Sequence, residues 1–338
     1  MELGSQKVLV TGATGFIGGH VVRTLLDVRH AAVRGLVRDP AKGQELAKYG
    51  VEIIRGDLSD FPSLQRAVAG CGTVVHAAAQ VAAVPNHQIF EQSNRVGSEN
   101  LMRAAAESGV ARFVHLSSIA VFGLAASGEV TDASPRRPSG DPYCDTKFDA
   151  EEIVLNALRE RRLPITILRP SAVYGPGSTH WSVIPLKRIK KGKMFLVDGG
   201  RGLLNYVYIS NLVDAILLAA EDERAVGEAF IVNDGAIRWS EFLGAYARMA
   251  GKRKIPSVPL WAAKGWVHYR NFVATLRREA SRVPPNSLGF LTGTAVYRQT
   301  HIEQKLGHRS RVNLAEGLRR TERWFRETGL LGIMKYEL

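Results

Sequence analysis

Val8-Leu9-Val10-Thr11-Gly12-Ala13-Thr14-Gly15-Phe16-Ile17-Gly18 is the stretch from which the rest of this chain is read. A short apolar run ends in a glycine turn, and an apolar helical pattern opens directly after it. Glycine at 12 and 15 lets the backbone turn sharply and approach a pyrophosphate with no Cβ in the way. The helix start beyond offers unpaired N–H groups and the positive end of its dipole to phosphates. Gly18 is read as allowing that helix to pack closely on a sheet. Such a turn carries weight only between the first strand and first helix of a βαβ unit. The flanking pattern supplies that setting. β-branched runs at 7–11, 33–37, 51–54, 73–76, 112–117 and 165–169 alternate with helical patterns such as 18–27 and 96–108. Alternation of this kind predicts an α/β fold, a Rossmann-type doubly wound parallel sheet.

The end of the second strand reads Gly35-Leu36-Val37-Arg38-Asp39-Pro40. An acid at that place accepts from the 2′-OH of NAD, whereas an arginine accommodates the 2′-phosphate of NADP. Arg38, with Lys42 one turn on, makes NADP(H) the preferred expectation and leaves NAD(H) open. The plainer reading makes Arg38 a solvated surface residue and Asp39 a helix cap. Asp57, in Arg55-Gly56-Asp57-Leu58, can accept from an adenine amino group. Ala77 and Ala78, after His76, are small enough for backbone to approach a dinucleotide.

Tyr143-Cys144-Asp145-Thr146-Lys147 places a phenol and an ammonium four apart, on one side of a helix. A phenol near its reference pKa of ~10 is a poor base at neutral pH; a neighbouring ammonium and a positive nicotinamide ring favour phenolate and lower that value. Phe113-Val114-His115-Leu116-Ser117-Ser118 adds a hydroxyl at a strand's C-terminal end, where open α/β sheets bind ligands. Cys144, beside the tyrosine, is read as a small filler pointing away from the reacting side.

These pieces together resemble the extended short-chain dehydrogenase/reductase superfamily, which includes nucleotide-sugar epimerases and hydroxysteroid dehydrogenases. The similarity rests on TGATGFIGG (11–19), RGDLSD (55–60), HAAA (76–79), NRVGSENLMRAA (94–105), RFVHLSSIAVFG (112–123), PYCDTKFDAE (142–151), ILRPSAVYGPG (167–177) and YVYISNLVDAILLAAE (206–221), in the family's order. The resemblance implies a catalytic set of Ser118, Tyr143 and Lys147, with Ser118 chosen over Ser117 because it directly precedes Ile-Ala-Val-Phe-Gly. It implies Asn94 as a fourth catalytic position. It also implies cofactor contacts from Gly12, Thr14, Gly15, Phe16, Ile17, Gly18, Arg38, Asp57, Leu58, Ala77, Ala78, Tyr143 and Lys147. Pro170 and Val173, in and after the Arg169-Pro170 turn, complete that set.

Departures within the family narrow the expectation. Its sugar-nucleotide dehydratases carry Asp-Glu after the triad's Ser or Thr; here Ile119-Ala120 stands there. Its epimerases present an arginine where this chain has Leu204, followed by Asn205. They also carry an Arg-Pro-Gly-Asp-like turn where Tyr297-Arg298-Gln299-Thr300-His301 occurs. By contrast, Ile209-Ser210-Asn211-Leu212-Val213 and the endings Lys305-Leu306-Gly307-His308 and Trp324-Phe325 are similar to the 3β-hydroxysteroid/sterol dehydrogenase branch. Val37–Pro40 is similar to dihydroflavonol-reductase-like enzymes. The expectation is a ketone/alcohol oxidoreductase acting on an apolar sterol-, ketoacyl- or flavonoid-like substrate. The alternatives are a nucleotide-sugar epimerase using bound NAD and a non-catalytic dinucleotide sensor.

Composition bounds the rest. The 338 residues suggest two domains, read as 1–175 plus 205–233 for the dinucleotide and 176–204 plus 234–338 for a smaller, mostly helical substrate domain. Two cysteines 73 apart exclude a disulfide framework, and the absence of any long apolar run or leader pattern points to the cytoplasm. The nine histidines show no metal-ligand spacing, and no Gly-x-Ser-x-Gly elbow exists, so no metal and no serine hydrolase is expected. Net charge is +13, concentrated in 187–193 and 252–282. No nucleic-acid module accompanies it. The aromatics of 258–282 leave open an ordinary lid, a carrier-docking surface or peripheral membrane contact. A homodimer is the expected oligomer.

Overall fold

The alternation of β-branched runs with helical stripes produces one seven-stranded parallel sheet, seen in a computed structural model that describes residues 2–80, 91–124, 126–160, 163–277 and 287–331. The strands of the chain, in this sheet and three smaller ones, begin with β1 (Lys7–Thr11), β2 (Ala32–Val37), β3 (Glu52–Arg55), β4 (Thr73–His76) and β5 (Arg112–Leu116). They continue with β6 (Glu129–Val130), β7 (Ile165–Pro170), β8 (Ala172–Tyr174), β9 (Leu196–Val197), β10 (Leu203–Tyr208), β11 (Ala229–Val232), β12 (Gly235–Arg238), β13 (Ser257–Val258) and β14 (Val296–Tyr297). The first helices are α1 (Phe16–Asp27), α2 (Pro40–Ala47), α3 (Phe61–Val68), α4 (Gly97–Glu107) and α5 (Pro142–Arg159). Then come α6 (Ile184–Lys190), α7 (Ile209–Glu221), α8 (Trp239–Met249), α9 (Leu260–Leu276), α10 (Ser287–Thr292), α11 (Thr300–Leu306) and α12 (Leu314–Glu327).

The large sheet runs β11-β7-β5-β4-β1-β2-β3. β1 lies between strands that leave in opposite directions along the chain, pairing Thr11 with Leu36 on one side and His76 on the other. The strand order reverses between β1 and β4, and ligands of open α/β sheets bind outside the carboxyl ends of strands at that point. Side chains alternate across the sheet. Val8 and Val10 pack with Val21, Val22 and Leu25 of α1, while Leu9 packs on the opposite face with Leu64, Leu101 and Phe113. Both faces are therefore buried, which is why the strands read as unbroken apolar runs.

β10 lies outside the large sheet, between β8 and β12 in a separate three-stranded sheet. β11 takes the place beside β7, Ala229 opposite Ile167, and β10 pairs instead with β8 and β12. α7, which follows β10, still returns to the main body and packs on α1. After 234 the chain is mostly helical. The Pro284-Pro285 segment and the cations Arg278 and Arg282 lie outside the described residues.

Candidate active site

The glycine turn between β1 and α1 is built as the sequence predicts, with one difference. Gly12 takes φ +70, and a Cβ there would stand 2.9 Å from the backbone of Ala78, at the end of β4. Two chain segments thus meet where only hydrogen fits. A Cβ on Gly18 would lie 2.2 Å from the Gly12 carbonyl oxygen. Gly18 is therefore required by the turn itself, not by helix-on-sheet packing as expected, because α1 folds directly back over the loop it starts from. Gly15 caps α1 without a side chain, leaving the first N–H groups of that helix uncovered at the cleft.

That turn opens a cleft of about 880 Å³ along the carboxyl ends of the strands. All the residues expected at the dinucleotide line it, from Gly12 to Val173, and Ser118 lines it too. A glycine cradle, uncapped helix N–H groups and an elongated cleft together fit a dinucleotide. At one end Asp39 caps α2 by accepting from Ala41 N at 3.0 Å, and the side chain of Arg38 is 73% exposed. Arg38 Nε stands 3.8 Å from Asp57 Oδ2, whose other oxygen accepts from the backbone and hydroxyl of Ser59. Arg55 and Arg66 join Arg38 around a smaller adjoining recess.

At the other end stands Tyr143. Asp141 caps α5 by accepting from Tyr143 N at 3.0 Å and Cys144 N at 3.1 Å, and Pro142 presets the first helical turn. The cap fixes where the phenol projects. Its pKa is pushed up to about 12 by burial, against a hydrogen bond with Ser118 that lowers it. The expectation of a lower value joins the ammonium to a positive nicotinamide ring; the ammonium by itself leaves the phenol raised. Lys147 does not offset the burial; its ammonium is buried and donates to the Leu116 carbonyl at 2.9 Å. Burial brings Lys147 down to about 8, while Glu151 one turn on raises it. Cys144 lines the cleft rather than pointing away from it as expected, and burial pushes its thiol up to about 12, so it is no thiolate at neutral pH.

The two serines part company. Ser117 Oγ donates to the fully buried Glu151 at 2.5 Å, whereas Ser118 faces Tyr143 and caps the short helix Ile119–Phe122. Glu151 is the residue that sequence reasoning passed over. It pairs with Arg169 at 2.7 Å and Arg136 at 3.2 Å, joining α5, β5 and β7 behind the phenol. The signal was the four-residue spacing from Lys147, which places both on one helix side. Asn94 does not line the cleft. Its side chain accepts from Gln80 N at 2.8 Å and donates to Gln80 O and to Thr146, so it ties the end of β4 to α5. Asn211 lies away from the cleft too, accepting from Val312 N at 3.0 Å and donating to Asp234.

Beyond Tyr143 the cleft is walled by Leu124, Trp181, Leu203, Phe290, Ala295 and Tyr297. Asn205, near the place where family epimerases anchor a diphosphate, donates to Ala295 O at 2.8 Å and accepts from Tyr297 N. Its amide is used to hold that wall.

Residues 8–233 match the NAD dependent epimerase/dehydratase family. The chain is similar to the 4-hydroxy-2-methyl-3-oxo-4-farnesyl-3,4-dihydroquinoline-1-oxide ketoreductase of Stigmatella aurantiaca, 29% identical over 93% of this chain and 95% of that one. It is 31% identical to the 3 beta-hydroxysteroid dehydrogenase/Delta 5-->4-isomerase of Mycobacterium tuberculosis, over 80% of this chain and 77% of that one. Among solved structures, the dTDP-glucose 4,6-dehydratase of Streptomyces venezuelae with NAD bound superposes with a TM-score of 0.77 at 25% identity. That match covers 96% of this chain and 98% of the other.

Proposed function

This chain is an NAD-dependent oxidoreductase belonging to the NAD dependent epimerase/dehydratase family, and from that premise we propose that it interconverts a ketone and a secondary alcohol on an apolar substrate. The observation that carries this reading is the distribution of charge in the cleft. Among the described residues lining it, the only lysine or arginine side chains are Arg38 and Lys147. Both serve the dinucleotide in this reading, and His180 is kept toward neutral by burial. No described lysine or arginine side chain at the apolar wall neutralises a nucleotide diphosphate. The relative that reduces a farnesylated quinoline N-oxide and the steroid dehydrogenase support the same substrate class.

In this proposal Tyr143 and Ser118 hold the substrate oxygen, and the protonated phenol donates to it during reduction. Ser117 is committed to Glu151, which leaves Ser118 as the hydroxyl for this task. Lys147 would hold the nicotinamide ribose, and Asn94 keeps Gln80 and α5 in register as a positioning residue. The bound dinucleotide supplies or accepts a hydride at carbon. The glycine turn and the start of α1 hold its pyrophosphate. Arg38 favours NADP(H) through the 2′-phosphate. We read the chain as two interleaved units, 1–175 plus 205–233 for the dinucleotide and 176–204 plus 234–338 for the substrate.

The test is turnover of prochiral apolar ketones, followed by nicotinamide absorbance, in wild type and Tyr143→Phe. The variant should lose about 10²–10⁴-fold in kcat. Interconversion of UDP-sugars without net cofactor change, and no ketone turnover, would establish an epimerase instead. A partner captured equally by wild type and a Tyr143→Phe, Lys147→Ala variant, with no turnover, would favour a sensor.

A further inference from the structure

Helix α9 is turned inside out relative to an ordinary surface helix. Trp261, Trp266, Tyr269, Phe272 and Leu276 are 59 to 77% exposed, and they account for five of the eight large apolar side chains exposed among the described residues. At 100° per residue they fall within an arc of about 140° on one side. The side facing the protein buries only Ala263, Val267 and Ala274. None of the five rings or chains joins a core cluster.

Basic segments lead into this helix. β13, two residues ahead of α9, pairs in parallel with β9, so Ser257 lies opposite Leu196. That pairing ties the chain just after the run 187–193 to the chain just before α9, and it adds Phe195, 54% exposed. Lys187, Arg188, Lys190, Lys191, Lys193, Lys252, Arg253 and Lys254 are all exposed. No acidic residue occurs anywhere in 187–197 or 252–277.

We propose that α9, with Phe195 and the flanking cations, docks this protein on the surface of an anionic lipid bilayer. Tryptophan and tyrosine favour the headgroup level, and an aromatic face with cations at its border lies in the interface plane with its rings at the acyl boundary. Lysine and arginine add attraction to anionic lipid. A second copy of the chain would set these cations against themselves, which disfavours α9 as a copy-to-copy contact. No described helix is long and apolar enough to cross a membrane, so the contact is peripheral. The inference goes beyond the catalytic reading and needs no turnover for its test.

The full chain should co-sediment with vesicles of phosphatidylcholine and phosphatidylglycerol in equal parts, and bind pure phosphatidylcholine weakly. Bromine on the acyl chains should quench its tryptophan emission. Combining Trp261→Ser, Trp266→Ser and Phe272→Ser should abolish sedimentation while thermal unfolding is unchanged. Lys252→Ala, Arg253→Ala and Lys254→Ala together should weaken binding on the order of a hundredfold. Equal binding to neutral vesicles, no binding to either, or bound protein whose emission is unquenched would overturn the proposal. So would light scattering that shows a dimer, indifferent to vesicles and dissolved by the three ring substitutions.

Discussion

Burial acts on Tyr143 and Lys147 in opposite senses, because it disfavours the charged form of each. The phenol at about 12 stays protonated across the working range, ready to give its proton in the reducing direction. The ammonium at about 8 loses its charge within that range. With Lys147 needed in its charged form, kcat/KM for ketone reduction should be level below about pH 8 and fall as pH rises through it. Glu151 raises the Lys147 value, so Glu151→Gln should move that falling limb to lower pH; an unmoved limb would show that another group sets it. At the opposite end, Arg38 offers an exposed guanidinium 3.8 Å from Asp57. Arg38→Ala should weaken NADPH binding about 10- to 100-fold by titration and leave NADH nearly unchanged. Equal loss for both cofactors would end the 2′-phosphate role.

At the scale of elements, the loop joining β1 to α1 is the tightest joint in the cleft. Gly12 must adopt a left-handed conformation and face the Ala78 backbone, and Gly18 must clear the Gly12 carbonyl. A methyl at 18 would meet backbone, which cannot swing aside as a flexible side chain can. Gly18→Ala should therefore displace the start of α1 from the loop. NAD(H) affinity measured calorimetrically should fall by more than tenfold, and the thermal midpoint should fall with it. An undiminished affinity would mean that the first turn of α1 does not bind the pyrophosphate. α5 is the second decisive element. Its Asp141 cap, Asn94 tie and Glu151 salt bridges fix the phenol from three directions.

For the whole molecule, the same low-dielectric interior that tunes the site also fixes how it meets acid. His76 is buried under the cleft, its Nδ1 2.7 Å from the Thr11 hydroxyl and its Nε2 3.0 Å from Ser98. Burial lowers its pKa to about 3, and that of His308 to about 4. Between those values and the ordinary 6.5, the unfolded chain binds more protons than the folded one, so stability falls as pH drops. Urea midpoints should decline from about pH 6.5 downward, and His76→Gln should flatten that decline. An equal slope in the variant would remove His76 as a cause. The sequence by itself determined the alternation of strands and helices in the dinucleotide fold, the glycine turn, the Tyr143 and Lys147 spacing and the concentration of charge after residue 186. Those features are local, since periodicity, turn chemistry and i,i+4 spacing operate within a few residues of chain. Only the tertiary structure decided that β10 leaves the main sheet and that Gly18 answers to Gly12. It alone decided that Ser117 belongs to Glu151, that burial outweighs Lys147 at the phenol, and that the aromatic side of α9 faces outward. Each depends on which surfaces meet after folding, and residues far apart in sequence carry no local mark of that meeting.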